Sequence, residues 1–449
     1  MVSVKNPNVI FVFSDQHRAQ SCGYTGDPNV KTPNMDRLAQ EGINLTNAIS
    51  TMPVCCPYRA SLITGQYAHQ HGIFLNDVCL SDRATSIAQA FGSAGYDTAY
   101  IGKWHLDGHG RSAYIPPERR QGFDYWSVLE CTHDYNHSQF YHGNDETPRI
   151  WDGYDAIAQT DEAIRLIENR NNNKPLLLML SWGSPHNPYE TAPEEYQAMY
   201  RDTEIVLREN VPFEHQRITR KELAGYYAHI TALDDCLGRL MAALKSEGME
   251  DDTIFVYTSD HGDMLHSQGV QRKQSPWDES IKVPFLLRYP NGLGRQARMV
   301  DVPFGTPDIM PTLLDLCGID IPKTVSGESV LSALNGEVSG ERCALIQSIQ
   351  PFAEWHKFIG GREYRGIRTR RYTYVRDLYR PWLLYDNQED PYQIRNLLEE
   401  AGHEELRARL DKMLDHKLES VNDQFLSGKE YVRHWGYQVD ITDTVVYTI

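Results

Sequence analysis

The sequence predicts an α/β protein: a large, mostly parallel or mixed sheet sandwiched between helices, with a smaller α+β subdomain at its C-terminal end. Two observations predict it. Strand-like runs that are almost continuously apolar alternate with long helical patterns, and from about Cys343 the texture changes to short strand-like pieces and a charged amphipathic helix. Uninterrupted apolar runs suit strands buried on both faces, whereas a half-exposed sheet shows alternation. Alternation of strand and helix is the pattern of an α/β core.

Strands are expected at residues 8–15 (NVIFVFSD), 99–104 (AYIGKW), 175–182 (PLLLMLSW), 253–260 (TIFVYTSD) and 282–290 (KVPFLLRYP). Helical patterns fall at 155–170, 221–248 and 307–318. These give a main α/β domain over residues 1–342. Residues 343–449 form the second unit, with GIRTRRYTYVRD and PWLLYD as strand-like pieces and a helix at 404–419. The tail, 431–449, is aromatic and β-branched and is expected to be ordered.

Composition excludes several classes of function. With 44 Lys and Arg against 61 Asp and Glu, the net charge is −17. An acidic surface repels nucleic acid, so none is expected as a partner. No apolar run approaches the ~20 residues of a membrane span, and none is expected. Eight cysteines without a CxxC pair are too sparse for a disulfide scaffold or zinc knuckles. The opening MVSVKNPNVIFVFSDQ has no signal-peptide pattern. The expected compartment is the cytoplasm, or the periplasm or exterior if a signal peptide has been removed.

Ligands of open α/β sheets bind beyond the carboxyl ends of the strands. Three predicted strands end in chemistry-bearing groups: Asp15 and Gln16, Lys103 and His105, Asp260 and His261. One acid at a strand end is commonly a cap or a turn. Two, with amide and imidazole neighbours, point to a metal, and hard oxygen ligands favour Ca²⁺, Mg²⁺ or Mn²⁺.

The most informative stretch is PVCCPYRASLITGQ, which contains CxPxR as Cys55, Pro57 and Arg59, then Ala60, Thr64 and Gly65. Taken alone, Cys55 and Cys56 would read as buried thiols and Arg59 as a structural ion pair. A second pattern, GYxTxxIGKWH, runs from Gly95 through Lys103 to His105. Together these resemble the type I, formylglycine-dependent sulfatase family of the alkaline phosphatase superfamily. SPHNP with His186, TSDHGD, Lys273 ahead of WDESIKVP, and a late LYDNQEDP follow in the family's order, so the resemblance covers nearly the whole chain.

The resemblance implies a hydrolase of sulfuric esters in which Cys55 is oxidised to formylglycine by a maturation enzyme. It implies one divalent cation, Ca²⁺ first and Mn²⁺ or Mg²⁺ as rivals, held by Asp15, Gln16, Asp260, His261 and the modified Cys55. Arg59 would orient the aldehyde hydrate, and Lys103 and Lys273 would neutralise the sulfate and the leaving group. His105 would be the base, His186 the acid toward the leaving alcohol, and Asn76 a sulfate contact. The chemistry has a rationale: a sulfated thiol is a stable adduct, whereas an aldehyde hydrate attacks through one hydroxyl and expels sulfate by re-forming the carbonyl.

Three departures bear on substrate and maturation. Gln16 and His261 stand where many members carry Asp and Asn, an arrangement shared with phosphonate monoester and phosphodiester hydrolases, which are the alternative reading. Tyr58 replaces the usual Ser within CxPxR. A third reading is a silent protein that keeps the pocket. A sulfated carbohydrate or aryl alcohol is the expected small-molecule substrate. The polar cluster at 132–142, either a substrate loop or a hydrated surface loop, together with Trp104 and Tyr189 favours a sugar. His69 and His71 are expected to be structural.

Overall fold

β1 (Asn8–Asp15) is buried along its whole length, and its alternate side chains feed two separate cores. Val9, Phe11 and Phe13 enter one, Ile10 and Val12 the other. This is the strand period of two in a sheet covered on both faces. The computed structural model describes residues 6–170, 173–337 and 340–446. The first five residues of the opening segment and the last three of the tail lie outside the described residues.

The chain continues through β2 (Ile43–Leu45), β3 (Ala48–Ile49), β4 (Asp97–Lys103), β5 (Tyr125–Leu129), β6 (Gln139–His142), β7 (Arg149–Ile150) and β8 (Leu176–Pro185). Then come β9 (Thr253–Ser259), β10 (Phe285–Arg288), β11 (Arg298–Val300) and β12 (Phe304–Gly305). Ten of these form one sheet in the order β11-β2-β10-β9-β1-β8-β4-β5-β6-β7, and β3 pairs with β12 separately. The central strands β9, β1, β8, β4 and β5 are parallel. β10 runs antiparallel to both β9 and β2, so the sheet is mixed. Helices Asp155–Asn169 and Gln216–Ser246 cover one face, and Cys55–Thr64, Ile87–Ser93 and Ile309–Leu316 the other.

The long apolar strands and both long helices lie where the sequence places them, with shifted ends. The second long helix starts at Gln216 rather than at 221, and the run 282–290 contributes only Phe285–Arg288. Strands β2, β5 to β7 and β11 have no counterpart among the predicted elements. They are short or toward the sheet's edges, and β7 is exposed, so no apolar run marks them.

Beyond the main sheet, β13 (Ala344–Ser348), β14 (Tyr364–Arg368), β15 (Tyr372–Asp377) and β16 (Pro381–Asp386) form a four-stranded antiparallel sheet. GIRTRRYTYVRD is thus the turn of a hairpin with part of one arm and the whole of the other. Leu410, Leu414 and Leu418 of the Glu404–Ser420 helix recur every four residues and pack on Leu345, Ile367 and Tyr374. The described part of the tail forms the Gly428–Trp435 helix and a bridge between Val439 and Val445. It is anchored to the main body where Phe74 meets Tyr431 and Tyr437.

Candidate active site

The carboxyl ends of the parallel strands converge. Asp15 ends β1, Lys103 ends β4, His186 follows β8, and Asp260 and His261 follow β9. Gly102 lets β4 and β8 come this close: its φ is 101°, and a Cβ there would lie 2.0 Å from the Ser181 carbonyl oxygen.

Cys55 opens the Cys55–Thr64 helix, every residue of which is buried. Its polar members are buried with partners: Arg59 on the Lys103 carbonyl, Ser61 on His71 and Thr64 on the Ala60 carbonyl. Pro57 is tolerated in its first turn, where N–H groups have no helical partner, and Gly65 ends it at φ 66°. Asn76 Oδ1 accepts the Cys56 N–H at 3.1 Å, so Asn76 caps this helix as well as facing the cavity. Tyr58 is 1% exposed beside Phe13, so the residue replacing the usual Ser is a packing group in the folded chain.

Around Cys55 the charged groups interlock. Lys273 Nζ lies 3.1 Å, His261 Nε2 3.4 Å and Asp15 Oδ1 3.6 Å from Cys55 Sγ. Burial and the Asp15 carboxylate oppose ionisation, yet Lys103, Lys273 and His261 together hold the thiol well below its ordinary range. Lys103 Nζ donates to Asp15 Oδ2 at 2.6 Å. Arg59 donates to the Lys103 carbonyl and Ser181 Oγ at 2.6 and 2.7 Å, and reaches Asp15 and Asp260 at 3.3 and 3.4 Å. Burial raises Asp15, but Lys103, His186, Lys273 and His261 hold it well below the usual carboxylate range. Burial and Asp15 push Asp260 up to about 6.

This floor fits a divalent cation. Asp15, Cys55, Asp260 and His261 each offer a ligand atom, all within 4.8 Å of one another. Gln16 Oε1 is buried and has no hydrogen-bond partner among the described residues, while its Nε2 donates to Asp263 at 2.7 Å. His261 Nδ1 donates to the Gly262 carbonyl at 2.9 Å, which leaves Nε2 as the ligand atom. Two carboxylates, an amide oxygen and an imidazole nitrogen suit Ca²⁺, Mn²⁺ or Mg²⁺.

A cavity of about 360 Å³ opens above Cys55, lined among others by Lys103, His105, His186 and Lys273. His186 Nδ1 donates to the Asn187 carbonyl, and its Nε2 accepts from Lys273 at 3.0 Å. Burial, Lys273 and His133 hold its pKa well below the ordinary value, so His186 is a neutral acceptor and Lys273 the donor. His105 Nε2 lies 3.2 Å from Asp77 Oδ1. Burial opposes its protonation, but Cys131, Cys56 and Asp77 raise its pKa well above the ordinary value.

Several residues of this constellation carry no motif. Asp77 is held by Arg111 at 2.9 and 2.8 Å and orients His105. Glu130 accepts the N–H groups of Leu106, Asp107 and Gly108, fixing the backbone after His105. His133 stacks on His186 with ring centroids 4.4 Å apart, which places one end of the 132–142 cluster at the cavity. Its other residues diverge: Tyr135 is fully buried and Gln139–His142 is β6. Arg272, Glu354 and Thr444 complete the rim. Adjacency to Asn76 and to Lys273 is the signal that could have found Asp77 and Arg272; Glu130 has no such neighbour, and only the fold brings it to the backbone after His105.

Two expectations are corrected. Trp104 is fully buried among Tyr100, Phe123 and Trp126, and Tyr189 is 5% exposed with its hydroxyl donated to Asp263. Neither offers a sugar a face to stack on. His71 bonds Ser61 and the Ile73 N–H, and His69 the Val421 carbonyl, both in structural roles.

A family model described as Sulfatase matches residues 7–319. The chain belongs to the sulfatase family. This sulfatase also matches, over residues 268–420, a model described as N-sulphoglucosamine sulphohydrolase, C-terminal. It is 43% identical over 436 residues to an ulvan-active sulfatase of Formosa agariphila, covering 96% of this chain and 84% of that protein. It aligns with a TM-score of 0.84 and 25% identity to a structure solved in complex with its substrate, D-glucosamine-2-N,6-O-disulfate, covering 94% of this chain and 99% of that one. The phosphonate monoester hydrolase of Agrobacterium radiobacter gives 0.74 at 25% identity, covering 94% and 96%. The sulfatase is therefore a hydrolase of sulfuric esters.

Proposed function

We propose that this sulfatase cleaves a sulfate monoester of a saccharide, with Cys55 oxidised to formylglycine and one divalent cation, Ca²⁺ first, on the floor formed by Asp15, Gln16, Asp260 and His261. The observation that carries the reading is the seat of Cys55, which faces a cavity from the first turn of a buried helix with Lys273 Nζ 3.1 Å from its sulfur. That sulfur stands where the nucleophilic oxygen would be. The side chain is 2% exposed, so oxidation by a maturation enzyme must precede folding.

A bound cation would supply positive charge against the sulfate oxygens and lower the pKa of the nucleophile. As a hydrated aldehyde, residue 55 would supply one hydroxyl to attack sulfur and a second whose deprotonation expels sulfate. Arg59, locked by the Lys103 carbonyl and Ser181, orients that group and balances the two carboxylates. Lys103 and Lys273 hold the sulfate between them. Lys273, the donor in its contact with His186, would give the proton to the leaving alcohol, and His186, a neutral acceptor, orients the ammonium for it. His105, oriented by Asp77, would accept the proton of that second hydroxyl, and it must first be in its neutral form. The half-buried Asn76 lines the sulfate side of the cavity.

The test has two parts. The peptide bearing Cys55, from protein made in its native producer, should have the mass of the aldehyde or its hydrate; thiol alone would end this mechanism. The amide and imidazole in the metal floor favour the phosphonate alternative, so kcat/KM should be compared on matched aryl sulfate and aryl phosphonate esters. A clear preference for the phosphonate would replace the sulfate reading.

A further inference from the structure

A second cavity, of about 740 Å³, adjoins the site and shares Asn187 and Arg272 with it. Its charge is opposite to that of the molecule. Four cationic side chains, Arg201, Arg220, Lys221 and Arg272, line it against the carboxylates of Glu190 and Glu222, on a chain whose net charge is −17. Glu222 is engaged by His266 at 3.0 Å, and Arg201 by Glu194. Arg220 and Lys221 are exposed on the Gln216–Ser246 helix and make no ion pair among the described residues.

The junction between the cavities is built for polar ligands. Arg272 lies over the Tyr189 ring, 5.1 Å from its centroid, and donates to the Tyr189 hydroxyl, which fixes the guanidinium at the boundary. It adopts φ 63°, a left-handed conformation rare for a non-glycine residue, and follows directly on the ester site because Lys273 is its neighbour. The half-buried Asn187 lines both cavities and so marks the passage between them.

We infer that this groove binds a second anionic group of an extended saccharide, so that the preferred substrates are polyanionic oligosaccharides held with one sulfate over Cys55 and a further carboxylate or sulfate near Arg272, Arg220 and Lys221. The inference rests on the saccharide reading above. A guanidinium and an ammonium side by side recognise either anion. The main cavity, near the lower end of the ~300–1,000 Å³ usual for ligand sites, holds the sulfated unit, and the groove gives the rest of the chain a place to lie.

The test compares wild type with Arg220→Ala/Lys221→Ala and Arg220→Glu/Lys221→Glu. Both positions are exposed, so these variants should fold. Three substrates are used: 4-nitrophenyl sulfate, a sulfated oligosaccharide carrying uronate carboxylates, and the same oligosaccharide with its carboxyl groups reduced. A fourth, a multiply sulfated oligosaccharide without uronate, separates the two anion sources. For the anionic oligosaccharides the ratio of kcat/KM to that for the aryl ester should fall at least tenfold in the alanine variant, mainly through KM. It should fall further in the glutamate variant and weaken with salt in wild type. A fall confined to the carboxylated substrate identifies a carboxylate site, and one confined to the multiply sulfated substrate a sulfate site. An unchanged ratio in both variants overturns the groove and leaves the saccharide reading intact. Turnover of the aryl ester with none of any saccharide overturns that reading first.

Discussion

Asp77→Asn keeps the shape of the side chain and removes its charge, which makes it a direct probe of how His105 is controlled. Asp77 Oδ1 lies 3.2 Å from His105 Nε2, and Arg111 binds both of its oxygens. At an effective dielectric constant of about 20, a charge pair at that distance is worth about 5 kcal/mol. The Arg111 charge is the same in both proteins and cancels in the comparison; the shift that one neighbouring carboxylate gives in proteins is smaller than this bare figure, roughly one to two pH units, or about 1.4–2.8 kcal/mol at about 1.36 kcal/mol each. Asp77 is among the groups that raise the His105 pKa, after the two neighbouring thiols and against burial. A base must be neutral to act, so in wild type turnover is lost as pH falls through a value above 6.5, the ordinary histidine value. In Asp77→Asn that limb should move down by one to two units, while the plateau falls about 10²-fold because the imidazole is no longer oriented. The assay is kcat/KM on an aryl sulfate between pH 5 and 9, with thermal unfolding as a check on folding. A limb that stays put or moves up would refute the argument.

Three further outcomes follow from the same structure. Gln16→Leu removes the buried Oε1 and should weaken divalent cation binding about 10–100-fold by calorimetric titration; unchanged affinity would remove Gln16 from the ligand set. Gly102→Ala forces a Cβ to within 2.0 Å of the Ser181 carbonyl at φ 101° and should cost about 3 kcal/mol or more in denaturant unfolding, with activity falling because Ser181 also holds Arg59. Asp423→Ala strands the fully buried Arg365 and should cost about 3–5 kcal/mol, much of it recovered when Arg365→Met is added.

Much of the site was legible in the sequence because its parts sit at the ends of apolar runs. Asp15, Lys103 and Asp260 each end or follow a buried parallel strand, and such ends converge in space wherever they lie in the chain. Cys55, Arg59, His186 and Lys273 were legible through the motifs that carry the family resemblance, and all four reach one pocket or the groups that line it. The helices at 155–169 and 216–246 were legible because a long amphipathic period survives any choice of neighbour.

What only the tertiary structure decided was which side chains meet. Asp77 is an ordinary acid in a loop until the fold brings His105 and Arg111 to it; Trp104 and Tyr189, aromatic candidates for a sugar, are enclosed, the first by rings of the strand it follows and of the next, the second by the distant Asp263. The short strands β2, β5 to β7 and β11 exist through pairing with their neighbours rather than through their own composition. Period and motif are local properties of the chain and can be read from it. Burial, charge pairing and the path from the ester site to its basic groove depend on contacts between residues as far apart as Asn187 and Arg272, and such contacts are set only when the chain has packed.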